Sequence, residues 1–274
     1  MKSQKKQNLA ILVSESISQD GKLIDLARTF DSEVSMQEFY DSFGYVTIKN
    51  AIPIDLLSEI QHDLECIFRP FATNERNPVD SAIMELDKND KARLYEITTA
   101  ASKLNSIKAI GVHLNQFFPK FTNNKNPVME IESTFMLSIP NDKRLVVNFH
   151  QESNYIRDFA DIINIHFPIF RTSNIENGTM SLIPSSHCNG TLTFEKTRFS
   201  DDSYTDLVPS KIEEITSELP ELHCQLDLGD CVFFNKDLIH RSNHNNSKLC
   251  RPVGVSRFTQ SLTGDWVHRI SDDL

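Results

Sequence analysis

The spacing of apolar residues changes near Pro119, and this change limits the folds that the 274-residue chain can adopt. Before Pro119, apolar side chains recur three or four positions apart, which is typical of helices that bury one face. After Pro119 they form short runs separated by turn pairs such as Asn177-Gly178 and Gly229-Asp230, which is typical of strands. The sequence therefore predicts an α+β fold with a mainly β core and flanking N-terminal helices.

The N-terminal half contains recognisable helix boundaries. Ser35 and Glu38 form a capping box, and Gly44 is positioned to end the short helix that follows. A β-rich segment then precedes Pro53, which suits the first turn of a longer helix. The predicted elements of this half are a helix between Ser35 and Gly44, a strand over Tyr45–Ile48, a helix after Pro53 and a helix from about Lys91 to Phe117.

The C-terminal half is predicted to supply the strands. They are Met129–Ile139, Leu145–Phe149, Ile162–Phe170, Thr179–Ile183, Leu222–Leu226, Cys231–Phe234 and Val253–Phe258. Residues 1–30 are polar and are predicted to form an N-terminal extension. Because no linker divides the remainder, residues 31–274 are predicted to form one domain.

Charge and cysteine content restrict the expected partners. A net charge of -10, with no basic block beyond Lys5-Lys6, disfavours nucleic acid and anionic membranes. Five scattered cysteines without a CxxC motif suggest reduced thiols in the cytoplasm. No apolar run approaches the ~18 residues of a membrane span. We expect a small-molecule partner, whereas the oligomeric state is left open.

A His-x-Glu motif is the first candidate for chemistry. On the predicted strand ending at Phe149, residues two apart share a face, so His150 and Glu152 would converge on one point. Alone, such a pair is more often a hydrogen-bonded structural pair than a metal site.

Two later residues make the pattern more specific. Gly229-Asp230 starts a buried strand that leads to His240, and Arg251 follows eleven residues later. Two histidines and one carboxylate form the facial triad of non-heme iron(II), which leaves coordination positions open. Arginine is the cation best shaped to hold a carboxylate-bearing co-substrate. Arg257 is the alternative cation.

At these positions the chain resembles the phytanoyl-CoA dioxygenase family of 2-oxoglutarate oxygenases, from about Met36 to Phe258. The resemblance rests on Phe43–Asn50, on His150-Gln151-Glu152, on Glu176–His187 with its Asn-Gly and Ile-Pro-Ser-Ser-His elements, and on Gly229–His240 followed by Arg251. Glu152 replaces the family's usual Asp, and Ser185 stands where the family usually has Gly.

The resemblance implies a double-stranded β-helix, the jelly-roll of cupin-like proteins. It also implies iron(II) held by His150, Glu152 and His240, and 2-oxoglutarate as a co-substrate bound by Arg251 with help from Ser242. Molecular oxygen would be consumed, and 2-oxoglutarate would be converted to succinate and CO2. His166 or Asn164 would flank the co-substrate, and Gln151, Asn154 and Tyr155 are candidates for substrate contact.

The predicted function is therefore an iron(II)- and 2-oxoglutarate-dependent dioxygenase that hydroxylates a small metabolite or biosynthetic intermediate. Because Glu152 is present, hydroxylation, desaturation or ring closure is favoured over halogenation, which in relatives requires loss of the metal carboxylate. Two alternatives stay open: a catalytically silent metal- or ligand-binding protein on the same barrel, and a cupin-like metal-dependent hydrolase or isomerase.

Overall fold

The computed structural model of the chain describes residues 36–122, 129–144, 146–159, 161–198 and 205–259. The predicted N-terminal extension, Ser35 and the last fifteen residues lie outside these ranges. The helices are α1 Met36–Phe43, α2 Ile54–Phe68, α3 Pro78–Asn89, α4 Lys91–Ala101, α5 Asn105–Leu114 and α6 Ile212–Glu218. The strands are β1 Tyr45–Ile48, β2 Met129–Ser138, β3 Ile163–Pro168, β4 Ser181–Leu182, β5 Phe194–Arg198, β6 Thr205–Pro209, β7 Leu222–His223, β8 Cys231–Asn235, β9 His240–Arg241 and β10 Arg251–Thr259.

The strands form two antiparallel sheets that make the barrel and a separate hairpin. The larger sheet has the order β1-β8-β3-β10-β2, the smaller has the order β7-β4-β9, and β5 pairs with β6. With the helices of the N-terminal half packed against the larger sheet, this is the predicted α+β fold with a mainly β core, a double-stranded β-helix. No helix within the described ranges has the length and apolar character needed to cross a membrane.

Side chains along β8 alternate between two environments, the core packed against the helices and the interior of the barrel. Phe233 is fully buried and packs with Phe118 and Phe121, at centroid distances of 5.7 and 5.0 Å. Phe234 points the other way and contacts the His240 ring at 4.8 Å. Neighbouring residues of a strand face opposite sides of the sheet, so one strand contributes both to the core and to the pocket.

Gly44 ends α1, as predicted, and the reason is a close contact. Its φ is +78°, and its N–H donates to Tyr40 O at 2.7 Å. A Cβ at this position would lie 2.5 Å from Nδ1 of His187, so glycine is required both by the backbone and by the neighbouring ring. Ser185 also has a left-handed φ, +67°, at the position where the family usually has glycine.

Two predicted elements were wrong. The helix predicted from about Lys91 to Phe117 is divided into α4, α5 and a 3-10 helix, Asn115–Lys120. The strand predicted over Leu145–Phe149 is absent from its described part, because residues 146–148 have no regular structure and Phe149 lies in a bend. Leu145 lies outside the described residues.

Helix α3, which was not predicted, is hydrogen-bonded to the segment before Arg251. Asp80 is buried, and its carboxylate accepts from Arg171 Nη1 at 3.1 Å and Nη2 at 2.5 Å. The same carboxylate accepts from the backbone N–H of Cys250 at 2.7 Å. One carboxylate thus ties a helix to two strand ends.

Replacing Asp80 with alanine is expected to lower the free energy of unfolding by about 3–5 kcal/mol, because Arg171 and the Cys250 N–H would lose a buried partner. Glu65→Ala is the matched control, since it breaks an ion pair with Arg69 in which the side chains are 38% and 58% exposed. That loss should be within about 1 kcal/mol. Denaturant unfolding of both variants measures the difference, and equal losses would contradict this account of Asp80.

Candidate metal centre and its pocket

His150 and His240 are brought together by a single backbone bridge. His150 N donates to His240 O at 2.9 Å, and His240 N donates to His150 O at 3.1 Å. Residues opposed in an antiparallel pair project their side chains to the same side of the sheet. The two imidazole centroids are accordingly 4.0 Å apart.

Backbone carbonyls fix the tautomers of both rings. Nδ1 of His150 lies 2.7 Å from Asn148 O, and Nδ1 of His240 lies 2.9 Å from Leu238 O. Because a carbonyl oxygen only accepts, each Nδ1 carries the proton and each Nε2 keeps a free lone pair. Anchoring one ring nitrogen while the other stays free is the usual arrangement of histidines that bind metals.

Glu152 supplies the third donor from an irregular segment. It begins a 3-10 helix, Glu152–Asn154, instead of continuing a strand as predicted. Its side chain is 8% exposed, and Oε2 lies 3.7 Å from Nε2 of His240. One donor atom from each of His150, Glu152 and His240 lies within 4.8 Å of the others. The predicted triad is therefore assembled, although not on the predicted strand.

Burial keeps the two imidazoles neutral. Desolvation lowers the pKa of His150, and nearby Glu152 offsets part of this effect. Desolvation also lowers the pKa of His240, and the neighbouring His150 adds to the decrease. Neutral imidazole is the form that coordinates a metal, so two neutral nitrogens and one carboxylate fit an iron(II) ion.

Arg251 is a buried cation in the same pocket. It is 4% exposed, its Nε donates to Asn177 O at 3.1 Å, and its Nη2 donates to Gly178 O at 2.7 Å. Nη1 is buried without a hydrogen-bond partner, and no ion pair joins Arg251 to a carboxylate within the described ranges. Burial lowers its pKa to about 10, so the guanidinium stays charged at neutral pH.

The inward face of β10 connects this cation to the metal centre. Residues two apart on a strand share a face, and Arg251, Val253, Val255 and Arg257 all line the pocket. Two arginines are thus presented to the cavity from one strand, with two valines between them. The predicted co-substrate cation and the alternative cation both face inward.

The other cations of the pocket have acidic partners. Arg257 Nη2 lies 3.0 Å from Glu152 Oε1, and Arg241 Nη2 lies 2.7 Å from Glu221 Oε1. The charges of these two side chains are therefore balanced within the protein. Arg251 differs from both because its contacts are backbone carbonyls.

His166 lies beside Arg251, as one of the two expected flanking residues. Burial and the Arg251 charge lower its pKa to about 3, so the ring is neutral at physiological pH. Its Nε2 is buried without a hydrogen-bond partner, and the ring lines the pocket. Asn164 is fully buried, with Nδ2 3.4 Å from Phe234 O, and it does not line the pocket.

Ser242 lies where the sequence placed it, at the pocket wall. The same pocket is also lined by the apolar side chains of Met136, Leu137, Val147 and Phe234. The Ser242 backbone N–H donates to Val147 O at 2.9 Å. A hydroxyl and apolar side chains therefore lie near the ligand cluster.

Gln151 and Tyr155, two of the three candidates for substrate contact, make contacts within the protein. Gln151 is fully buried and braces the backbone: its Nε2 donates to Gly190 O at 2.9 Å and Asp237 O at 2.7 Å. It does not line the pocket. Tyr155 packs edge-on against His150 at 5.6 Å, and its hydroxyl accepts from Leu207 N at 3.0 Å. Sequence patterns gave no indication of the β5–β6 hairpin that makes this contact.

Comparisons with known proteins agree with the fold. A family model described as phytanoyl-CoA dioxygenase (PhyH) matches residues 40–253. A probable phytanoyl-CoA dioxygenase of Caenorhabditis elegans is 21% identical, with 86% of this chain and 82% of the relative covered.

Two solved structures are also similar. Apo EctD from S. alaskensis has a TM-score of 0.51 at 16% identity, covering 84% of this chain and 78% of that chain. The non-heme alpha ketoglutarate dependent carbocyclase SnoK from nogalamycin biosynthesis has a TM-score of 0.50 at 14% identity, covering 87% of this chain and 93% of that chain. These likenesses concern the fold. Because the family model spans residues 40–253 of the 274, the chain belongs to the phytanoyl-CoA dioxygenase family.

Proposed function

We propose that this chain is an iron(II)- and 2-oxoglutarate-dependent dioxygenase that oxidises a small molecule. The observation that carries the proposal is the position of Arg251, a buried guanidinium with an unused Nη1 and backbone carbonyls as its partners, in the pocket of the histidine-carboxylate cluster. A buried charge is expected to be compensated, and a ligand carboxylate would supply the missing negative charge.

The proposed metal ligands are His150 and His240 through Nε2 and Glu152 through its carboxylate. Their Nδ1 anchors hold the two rings in place before metal binds. Iron(II), when bound by three protein ligands, supplies open positions at which a 2-oxo acid and molecular oxygen can be activated. Such a site needs a cation at the far end of the co-substrate, which we assign to Arg251, and a nearby hydroxyl, which we assign to Ser242.

Substrate oxidation is proposed to be hydroxylation of a carbon atom, with desaturation or ring closure as related outcomes. Glu152 supports this choice because it occupies the position that a halide would otherwise require. The apolar side chains of Met136, Leu137 and Val147 in the pocket lining suit an unactivated C–H group. All five cysteines are free, which supports the expected cytoplasmic location.

His166 is expected to contribute modestly to co-substrate binding. Its neutral ring offers Nε2 to the pocket beside Arg251, so His166→Leu would remove one hydrogen bond of about 0.5–1.5 kcal/mol. The dissociation constant for 2-oxoglutarate should rise about 2- to 12-fold, with metal affinity unchanged. Titration of the metal-loaded variant measures both quantities. A loss of metal affinity would contradict this role.

The proposed function is tested by following 2-oxoglutarate consumption in air. Purified protein with iron(II) should convert 2-oxoglutarate to succinate slowly without substrate and faster with the correct one. A library of small apolar metabolites, scored by succinate formation and by mass change, identifies that substrate. Activity that persists without oxygen would favour a hydrolase or isomerase, and metal binding without succinate formation would favour a silent binding protein.

A further inference from the structure

Arg257 contacts the carboxylate that belongs to the proposed metal centre. Its Nη2 lies 3.0 Å from Oε1 of Glu152, and its side chain is 13% exposed. The other oxygen of the same carboxylate, Oε2, faces Nε2 of His240 at 3.7 Å. The two oxygens of Glu152 therefore have different neighbours, a guanidinium on one side and the histidine cluster on the other.

Arg257 is itself anchored from a second direction. Nη1 lies 3.0 Å from Oε2 of Glu132. Arg257 and Glu132 are paired in register on β10 and β2, and the strand irregularity follows immediately, between Arg257 and Phe258. A guanidinium held at both ends has little freedom to leave Glu152, because its fork is fixed by two carboxylates.

The length of the Glu152 side chain is the reason why this contact matters for metal binding. Glutamate has one methylene and one rotatable bond more than the aspartate usual at this position, so its carboxylate has more conformations available. Fixing one conformation costs free energy on metal binding unless the protein fixes it beforehand. Partners that orient a ligating carboxylate commonly account for a 10- to 100-fold change in metal affinity.

We infer that Arg257 is a positioning residue that holds Oε1 of Glu152 and so presents Oε2 to the metal. This inference rests on the proposed function, since it assumes that Glu152 is a metal ligand. It also assigns different roles to the two arginines of β10. Arg251 is left for the co-substrate, whereas Arg257, with two acidic partners, is not a co-substrate cation.

Metal titration of Arg257 variants tests the inference directly. Iron(II) is added without oxygen, and cobalt(II) in a parallel series, to protein free of 2-oxoglutarate. Arg257→Gln should raise the metal dissociation constant about 10- to 100-fold, Arg257→Lys should raise it less, and Glu132→Gln should give a smaller rise by loosening the anchor. Arg93→Gln removes an exposed arginine that pairs with Glu96 outside the pocket, and should leave the metal affinity unchanged.

A double-mutant cycle separates positioning from a general effect of charge. In a Glu152→Asp background the shorter side chain has less freedom to restrain, so Arg257→Gln should raise the metal dissociation constant less than it does in the parent chain. Thermal unfolding confirms that each variant is folded. If Arg257→Gln proves unstable, the Arg257→Lys and Glu132→Gln titrations carry the test.

The outcomes distinguish this inference from the proposed function. If the parent chain binds metal and 2-oxoglutarate but Arg257→Gln and Glu132→Gln bind metal as tightly as the parent, the inference about Arg257 is overturned and the proposed function is not. If Arg257→Gln changes only the affinity for 2-oxoglutarate at saturating metal, Arg257 is a co-substrate group instead. A parent chain that binds no metal would overturn the proposed function first.

Discussion

Replacing Arg251 with glutamine should raise the dissociation constant for 2-oxoglutarate about 30- to 4,000-fold. Removing one partner of a buried, hydrogen-bonded charge pair typically costs about 2–5 kcal/mol, and about 1.4 kcal/mol corresponds to a tenfold change. The large loss is expected because Nη1 is buried and lacks a protein partner, so the ligand carboxylate would be its counter-ion. Calorimetric titration into iron-loaded protein without oxygen measures the change.

Two further variants show whether the loss of 2-oxoglutarate affinity is due specifically to the Arg251 guanidinium. Arg251→Lys keeps the charge but loses the planar fork held by Asn177 O and Gly178 O, so its affinity should be intermediate. Arg93→Gln removes an exposed arginine that pairs with Glu96 and should bind like the parent. If Arg251→Gln binds 2-oxoglutarate as tightly as the parent, Arg251 is not the co-substrate cation.

Replacing His240 with alanine should weaken metal binding at least about 100-fold, above the range typical of residues that only orient a ligand. The imidazole is fixed by Leu238 O and lies 4.0 Å, between centroids, from His150. Among the described residues, the group of potential metal ligands consists of His150, Glu152 and His240 alone, so the variant would keep two ligands. Oxygen-dependent succinate formation should be lost together with the metal. Equilibrium titration with iron(II) or cobalt(II) measures the affinity.

His244→Ala provides the matched control for this substitution. His244 is four residues from His240, but it does not line the pocket, so its removal should leave metal affinity unchanged. Comparable losses in the two variants would mean that the metal site lies elsewhere or that the local turn, rather than the His240 ring, determines binding.

The candidate site was more predictable from the sequence than the backbone that carries it. The types and spacing of His150, Glu152, His240 and Arg251 indicated a triad and a cation, and the structure brings all four side chains to one pocket. The prediction of a strand before His150 was wrong. The pairing with His240 is an isolated bridge between single residues, and the residues before His150 do not extend it into a strand. Long-range pairing of this kind leaves no periodicity in the local sequence.

For some features that were not predicted, the sequence nevertheless contains a recognisable pattern. Helix α3 begins with proline and buries Val79, Ala82, Ile83 and Leu86, a spacing typical of a helix. The contact between Arg257 and Glu152 could be predicted only in part. The even number of positions between Arg251 and Arg257 indicates that both side chains face inward. The carboxylate that Arg257 contacts, however, comes from a segment distant in the sequence.

The most direct test of the central claim is a titration of the parent chain with 2-oxoglutarate and with glutarate, each with and without iron(II), in the absence of oxygen. Glutarate has both carboxylates but lacks the 2-oxo group that would chelate the metal. 2-Oxoglutarate is expected to bind tightly only when iron(II) is present, and glutarate is expected to bind weakly in both conditions. Equal binding of the two diacids, or binding of 2-oxoglutarate that does not depend on the metal, would contradict the central claim.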